Sequence, residues 1–363
     1  MTEIIQETLN RIQAIDLRDL KIAQERLDSL TKPPGSLGRL EEFARRYAAI
    51  KGVDSPTVRR KAVFVFAADH GIAEEGVSAY PAEVTPQMVL NFLNGGAAIN
   101  VLARHVGAEV QVVDMGVNFD FAGCPNLIHK KIAPGTRNMS REPAMTRRQA
   151  EEALQAGIEL AMQWAEQETD IFATGDMGIG NSTSAAAIMS VHAKKTPRQV
   201  TGRGTGIDDA ALEKKIALIE RTIQINRPNP EDPLDVLAKI GGFEIAAIAG
   251  FILGAAASRT PIVIDGLISG AAAVSACKMN PAVRDYIFPS HKSQEPGHDV
   301  FFQILQCTPL FDFGMRLGEG TGAVLAMGIL ESSVRIYNEM ATFAEAQVAS
   351  HNIQADDEEY LPG

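Results

Sequence analysis

The chain has 363 residues, of which 45% are hydrophobic and 22% charged, an ordinary globular composition with enough apolar residue to bury a large core in one domain or two. Its formal net charge of -11, with no long block of Lys and Arg, argues against bulk nucleic-acid binding. An anionic ligand must then be held by local features and not by an overall field.

Three cysteines, Cys124, Cys277 and Cys307, lie far apart. Such a sparse, odd set fits a reducing compartment and not a disulfide framework. No CxxC or HExxH spacing signals a metal site. The first fifteen residues are amphipathic and contain acids, unlike a signal peptide. The most membrane-like run, residues 245–257, is too short to span a bilayer and reads as a buried helix. A cytoplasmic protein without a membrane span is expected.

In chain order, residues 3–30 read as helix with a break in the apolar spacing. The stretch KPPGSLGRL stops it with Pro33 and Pro34 and turns at Gly35, after which Ser36 can cap a helix burying Leu40, Phe43, Tyr47 and Ile50. KAVFVFAADHG (61–71) is a buried strand ending in Asp69, His70 and Gly71. In VTPQMVLNFL, Thr85 has the look of an N-cap and Pro86 of a first helical residue. EVQVVDMG (109–116) is a second strand, followed by an irregular region. Thr146 and Gln149 form a capping box that opens a long helix to about Trp164.

Residues 170–189 read as strand, Gly-rich loop and helix, and TGRGTG (201–206) is another Gly-rich loop before a helix. Strands are expected at 259–266, ending in Asp265, at 284–293, ending at Ser290 and His291, and at LFDF (310–313). After LFDF come GMRLGEGTG, the helix AVLAMGIL, a further helical segment SSVRIYNEMATFAEA and an acidic tail that reads as frayed. Strands alternating with helices argue for a mostly parallel sheet with helices on both faces, a Rossmann-like α/β fold. Ligands then bind outside the carboxyl ends of the strands. The terminal helices lie outside this alternation. They are expected to form a small helical domain, residues 1–30 and 331–363, beside a catalytic domain at 31–330.

Nearly every strand exits into polar or Gly-rich residues, and those exits share one edge. A lone loop carboxylate is most often idle. Glu319, framed by Gly318 and Gly320 and followed by a helix start, has two readings, an idle loop acid and a general base aimed into a cleft, and the shared edge favours its facing a cleft. GDMGIGNST frees backbone N–H groups for an anion and adds Asn181, Ser182 and Thr183 at a helix start. It matches neither GxGxxG nor the P-loop, which disfavours an NAD-dependent dehydrogenase. Arg203 adds charge to TGRGTG. Lys215 behind it reaches either a phosphate or solvent, and spacing alone favours solvent. His70 with Asp69 reads as structural before catalytic. No nucleophilic Ser-His-Asp or Cys-His signature is present.

Taken together, KPPGSLGRLE, AADHGIAEEGVSAYP, LNGGAAIN, VVDMGVN, GDMGIGNSTSAAAI, TGRGTGIDD, PSHKSQEPGH and RLGEGTGAVLAM resemble the nicotinate-nucleotide–dimethylbenzimidazole phosphoribosyltransferase family, in order and over nearly the whole chain. The resemblance implies a parallel α/β main domain, a small helical domain from both chain ends and a homodimer. It implies transfer of the 5-phosphoribosyl group of nicotinate mononucleotide to 5,6-dimethylbenzimidazole, with no metal or external cofactor, in assembly of the cobalamin lower-ligand nucleotide. It makes Glu319 the general base. It gives Gly178, Gly180, Asn181, Ser182 and Thr183 to the nucleotide site, and Gly202, Lys215 and Ser293 to phosphate and ribose. The base pocket falls around Ser78, Tyr80 and Gln87. One departure concerns Asp176, also counted with the substrate site, where the family usually has Glu in GEMGIGN: the charge stays but its reach shortens by a methylene. The rivals are the same transfer to another azole, a purine or a phenol, and a non-catalytic nucleotide-binding sensor.

Overall fold

The structure, a computed structural model, describes residues 1–349. Its centre is a six-stranded, wholly parallel sheet in the order β3-β2-β1-β4-β5-β6. The strands are β1 (Lys61–Ala68), β2 (Ala108–Gly116), β3 (Leu127–His129), β4 (Ile171–Met177), β5 (Ile262–Ile264) and β6 (Ile287–Pro289). The chain enters at the middle, builds outward through β2 and β3, then returns to the other side of β1. The order therefore reverses between β1 and β4, the place where open parallel sheets bind ligands.

All eight residues of β1 are buried, as a parallel strand covered on both faces requires. Val63 points toward Gly320 at the start of the Thr321–Glu339 helix. The next residue, Phe64, packs on the opposite face, its ring 4.5 Å from Phe251 and 5.1 Å from Trp164. The helices Arg147–Glu166 and Phe243–Ala257 cover that second face. Every residue of Phe243–Ala257 is buried, so the most apolar run of the chain is core. Among the described residues no helix is long and apolar enough to cross a membrane.

Several sequence expectations change in detail. The first thirty residues form two helices, Glu3–Arg11 and Leu17–Asp28, separated by a break at which Asp16 caps the second. Gly38, not Ser36, precedes the Arg39–Lys51 helix. Thr85 lies inside the Val84–Leu93 helix, and its hydroxyl accepts the Ile179 N–H at 3.1 Å. It thus braces the loop after β4. The short β3 arises in the region read as irregular. LFDF is not a strand: only Phe311 bridges to His291, because Asp312 turns the chain by accepting the Gly314 N–H and Phe313 is 70% exposed. The last two helical segments fuse into Thr321–Glu339, and residues 341–349 are turns. The capping box at Thr146 is present. The acidic tail lies outside the described residues.

Near the ends of the chain, Ala23, Leu27 and Leu30 form a separate small apolar cluster with Ala44, Ala48 and Tyr337. Leu30 pairs antiparallel with Thr342. Ile5, Ile12 and Ile15 join the main core instead.

Candidate active site

β1 pairs with β4 so that Phe66 lies level with Asp176, which puts Asp176 at the carboxyl end of the sheet beside the switch point. After Met177 the chain turns through Gly178, Ile179 and Gly180 into the Asn181–Ala193 helix. At that helix start the Asn181 and Thr183 N–H groups donate to the Gly178 and Gly180 carbonyls at 3.0 Å, and the positive end of the helix dipole lies at the loop. Ser182 stands on its first turn. Its Oγ accepts from the Lys215 ammonium at 2.9 Å, and Lys215 also donates to the Gly202 carbonyl at 3.3 Å. Lys215 is 0% exposed, so it is not the surface residue that spacing favours. Burial lowers its pKa to about 8, with Glu295 nearby opposing the shift.

Glu319 approaches from the other side. Gly318, Glu319 and Gly320 adopt φ of +84°, +62° and +89°, three left-handed residues in a row. For Glu this costs roughly 1–2 kcal/mol. The arch lies against β4 where Gly175 has no side chain, and it delivers Glu319 into the cleft 7% exposed. Among the described residues, Glu319 Oε2 has no hydrogen-bond partner. Burial, then the Asp265 charge, raises its carboxyl to about 7. Asp176 is buried, with Oδ2 accepting from Asn181 Nδ2 at 3.0 Å and Oδ1 unpaired among the described residues. Burial and the Asp265, Glu244 and Glu319 carboxylates push it well above the ordinary range. Both acids are therefore raised by burial and by neighbouring carboxylates.

Between them is a cavity of about 480 Å³, of ligand-binding size. It brings together Glu319, Asp176, Gly178, Asn181, Ser182 and Tyr80 from the expected set. Lys215 and Gly202 stand behind Ser182. Ser78 is joined to the lining residue Thr205 at 3.0 Å. Thr183 is buried within its helix, Gly180 backs onto His70, and Gln87 is exposed on the Val84–Leu93 helix. None of these three lines the cavity, and neither does Ser293, whose Oγ accepts the Glu295 N–H at 3.3 Å. Arg203 turns away to Asp209 and the Ile207 carbonyl. His70 is held between Glu244 at 2.5 Å and Ser184 at 3.2 Å, as a structural histidine is.

Sequence reasoning missed Glu295 and Arg316, which also line the cavity. Glu295 accepts the Gly204 N–H at 2.9 Å, and Arg316 donates to the Gly204 carbonyl at 2.8 Å. Both fall within motifs quoted above, as charged residues just beyond strand-like segments, and that was the available signal.

A family model described as phosphoribosyltransferase matches residues 12–348. The chain belongs to this family. It is 57% identical over 348 residues to the nicotinate-nucleotide–dimethylbenzimidazole phosphoribosyltransferase of Geobacter sp. (strain M21), covering 96% of this chain and 100% of that one. It is 54% identical over 346 residues to the protein of the same name from Chloroflexus aggregans, covering 95% of this chain and 98% of the relative. The crystal structure of CobT from Thermus thermophilus superposes with a TM-score of 0.88 at 46% identity, covering 92% of this chain and all of that one. Membership makes the chain a phosphoribosyltransferase.

Proposed function

We propose that the protein moves the 5-phosphoribosyl group of nicotinate mononucleotide to 5,6-dimethylbenzimidazole, giving α-ribazole 5′-phosphate and nicotinate. The observation that carries the chemistry is Glu319: a nearly buried carboxylate with a free oxygen in the cavity, raised to about 7, close to the working pH of an effective general base. The helix start at Asn181 and Ser182, with Lys215 behind it, supplies the donors for the 5′-phosphate. Nicotinate leaves as a pyridine that takes the C1′–N bonding pair and loses the ring's positive charge, so its departure needs no general acid. The free ring nitrogen of dimethylbenzimidazole attacks C1′ from the opposite face, inverting the β-riboside to the α-riboside. Its other nitrogen becomes acidic and gives its proton to Glu319. Holding both rings in line across C1′ supplies much of the remaining acceleration.

Gly178, Gly180, Asn181, Ser182, Thr183, Gly202, Lys215 and Ser293 form the nucleotide side of this reading. Asp176, Ser78, Tyr80 and Gln87 form the acceptor side. The same reading takes the protein as a cytoplasmic homodimer. Support comes from three free cysteines and from Phe313 and Leu317, 70% and 57% exposed beside the cleft. It takes the chain ends, residues 1–30 and 331–363, as a small helical domain beside the main one. What supports it is that Leu27 and Leu30 share a small apolar cluster with Tyr337, although Ala44 and Ala48 of the main part also belong to it.

The test is incubation of the purified protein with nicotinate mononucleotide and 5,6-dimethylbenzimidazole, followed by chromatography. One nicotinate per α-riboside phosphate is expected. Binding of the nucleotide without nicotinate release, with any azole, purine or phenol supplied, would overturn the transferase reading in favour of a sensor. Light scattering that gives one chain per particle would overturn the dimer.

A further inference from the structure

Asp265 follows β5, is 0% exposed, and does not line the cavity. A buried carboxylate is costly unless its oxygens are well paired, and these are. Oδ2 accepts the Gly320 N–H at 3.0 Å, while Oδ1 accepts those of Gly322 and Ala323 at 2.8 and 3.1 Å. All three donors belong to the unpaired N–H groups at the start of the Thr321–Glu339 helix, immediately after Glu319. On its other side, His291 Nδ1 lies 3.8 Å from Oδ1, and the Ser290 hydroxyl donates to the Asp265 carbonyl at 3.2 Å.

We propose that Asp265 is a positioning residue acting through Glu319: its carboxylate clamps the left-handed arch to the end of β5 and sets a negative charge beside the base. The clamp offsets the backbone strain of a non-glycine residue at φ +62°. It also removes the freedom by which the Glu319 side chain would leave the line of proton transfer. The charged groups around Glu319 are Asp265 after β5, Asp176 on β4 with Glu244 behind it, and His291 after β6. Across the cavity are Lys215, Glu295 and Arg316. Of these, Asp265 is the acid whose charge, after burial, raises the Glu319 carboxyl; burial raises Asp265 as well, and His291 and the three N–H bonds oppose that shift. Asp265 thus makes Glu319 a stronger base as well as a better-placed one.

The kinetic arm of the test rests on the transferase function proposed above; the spectroscopic arm does not. In Asp265→Asn the charge is lost, and one amide oxygen faces three converging N–H groups. Its kcat should fall at least about ten-fold, the scale of one lost oriented contact. The acid limb of its pH profile should move down by about one pH unit, the effect of one neighbouring charge. Nicotinate mononucleotide should still bind as in the wild type. Asp265→Glu keeps the charge but displaces the arch, so its acid limb should stay while kcat falls. Carboxyl 13C NMR of Glu319, assigned by difference from Glu319→Gln, should show the same downward shift in Asp265→Asn even in a protein without turnover. A merely structural Asp265 would lower the melting temperature and leave both the limb and the Glu319 titration in place, which overturns the proposal. Should Asp265→Asn fail to fold, wild-type kcat in Asp265→Glu overturns it. A wild-type protein that releases no nicotinate sinks the transferase reading alone.

Discussion

Gly175 on β4 faces the main chain of Glu319 so closely that a Cβ placed there would lie 2.5 Å from the Glu319 carbonyl oxygen and 2.6 Å from its carbonyl carbon. The sheet and the catalytic arch therefore touch backbone to backbone, and the position of Glu319 is set by strand β4 as well as by its own loop. Gly175→Ala should push the arch toward the cavity. Overpacking of this kind typically costs about 1–3 kcal/mol, so the melting temperature should drop modestly. Turnover should drop by at least about ten-fold, because a displacement near 1 Å at a reacting group is costly. The nucleotide site on the Asn181–Ala193 helix should still bind. A stable Gly175→Ala protein with wild-type kcat would mean that the arch tolerates displacement.

The pH profile follows from two buried groups. As the proposed base, Glu319 would work ionised, and burial and then Asp265 raise its carboxyl to about 7. As pH falls through 7 it takes a proton and stops acting as a base, so kcat/KM declines on the acid side. As the proposed phosphate donor, Lys215 would work charged, and burial lowers it to about 8. As pH rises through 8 it loses its charge, so kcat/KM declines on the alkaline side too. A narrow optimum between the two is expected for kcat/KM, which reports the free enzyme. In kcat the alkaline limb should recede to higher pH, since bound phosphate keeps Lys215 charged. Glu319→Gln should lose the acid limb and about 100-fold or more in kcat. An acid limb surviving in Glu319→Gln would assign it to another group.

Lys215→Met replaces the ammonium by an apolar chain of similar length in a fully buried slot. It removes a charged donor to the phosphate while filling the space. Losing one charge-assisted hydrogen bond is worth about 1.5–3 kcal/mol, or about ten- to a hundred-fold in affinity. The KM for nicotinate mononucleotide should rise by that factor with kcat less affected, and inhibition by inorganic phosphate should weaken in parallel. An unchanged KM would show that Lys215 only supports Ser182 and Gly202.

What the sequence discloses here depends on how local the determining physics is. β1 and β2 are long apolar runs ending in polar residues, and β4 adds a Gly-rich exit, so strand, exit and shared edge are all legible. LFDF has the same apolar look, but Asp312 folds it into a turn. β3 is too short to show any period. Lys215 misleads because its helix spacing is unremarkable. Only the approach of the 201–206 loop, from the other side of Ser182, buries it. Asp265 is visible as a strand-end acid, yet its partners at Gly320, Gly322 and Ala323 lie some 55 residues on, and nothing local announces them. Glu295 and Arg316 are missed for the same reason: they meet at Gly204, which neither is near in sequence.

Asp176 stands where the resembled family usually has Glu, and its environment decides what that shortening does. It is buried, close to three other carboxylates, with one oxygen bonded to Asn181 and the other unpaired among the described residues. Raised well above the ordinary carboxylate range, it is biased toward the protonated form, which offers an O–H donor where an ionised acid would offer only lone pairs. Asp176→Asn keeps the size, the neutral charge and one N–H donor. It should therefore retain turnover within a few-fold and leave the acid limb near 7. Asp176→Ala, which removes donor and acceptor together, should lose considerably more. Asp176→Glu carries the carboxyl a methylene further toward the acceptor. Its effect should appear as a changed ranking of kcat/KM across a panel of benzimidazoles, with the KM for the nucleotide preserved. A large loss in Asp176→Asn, with the acid limb displaced, would show instead that Asp176 works as an anion and shares the base's role with Glu319.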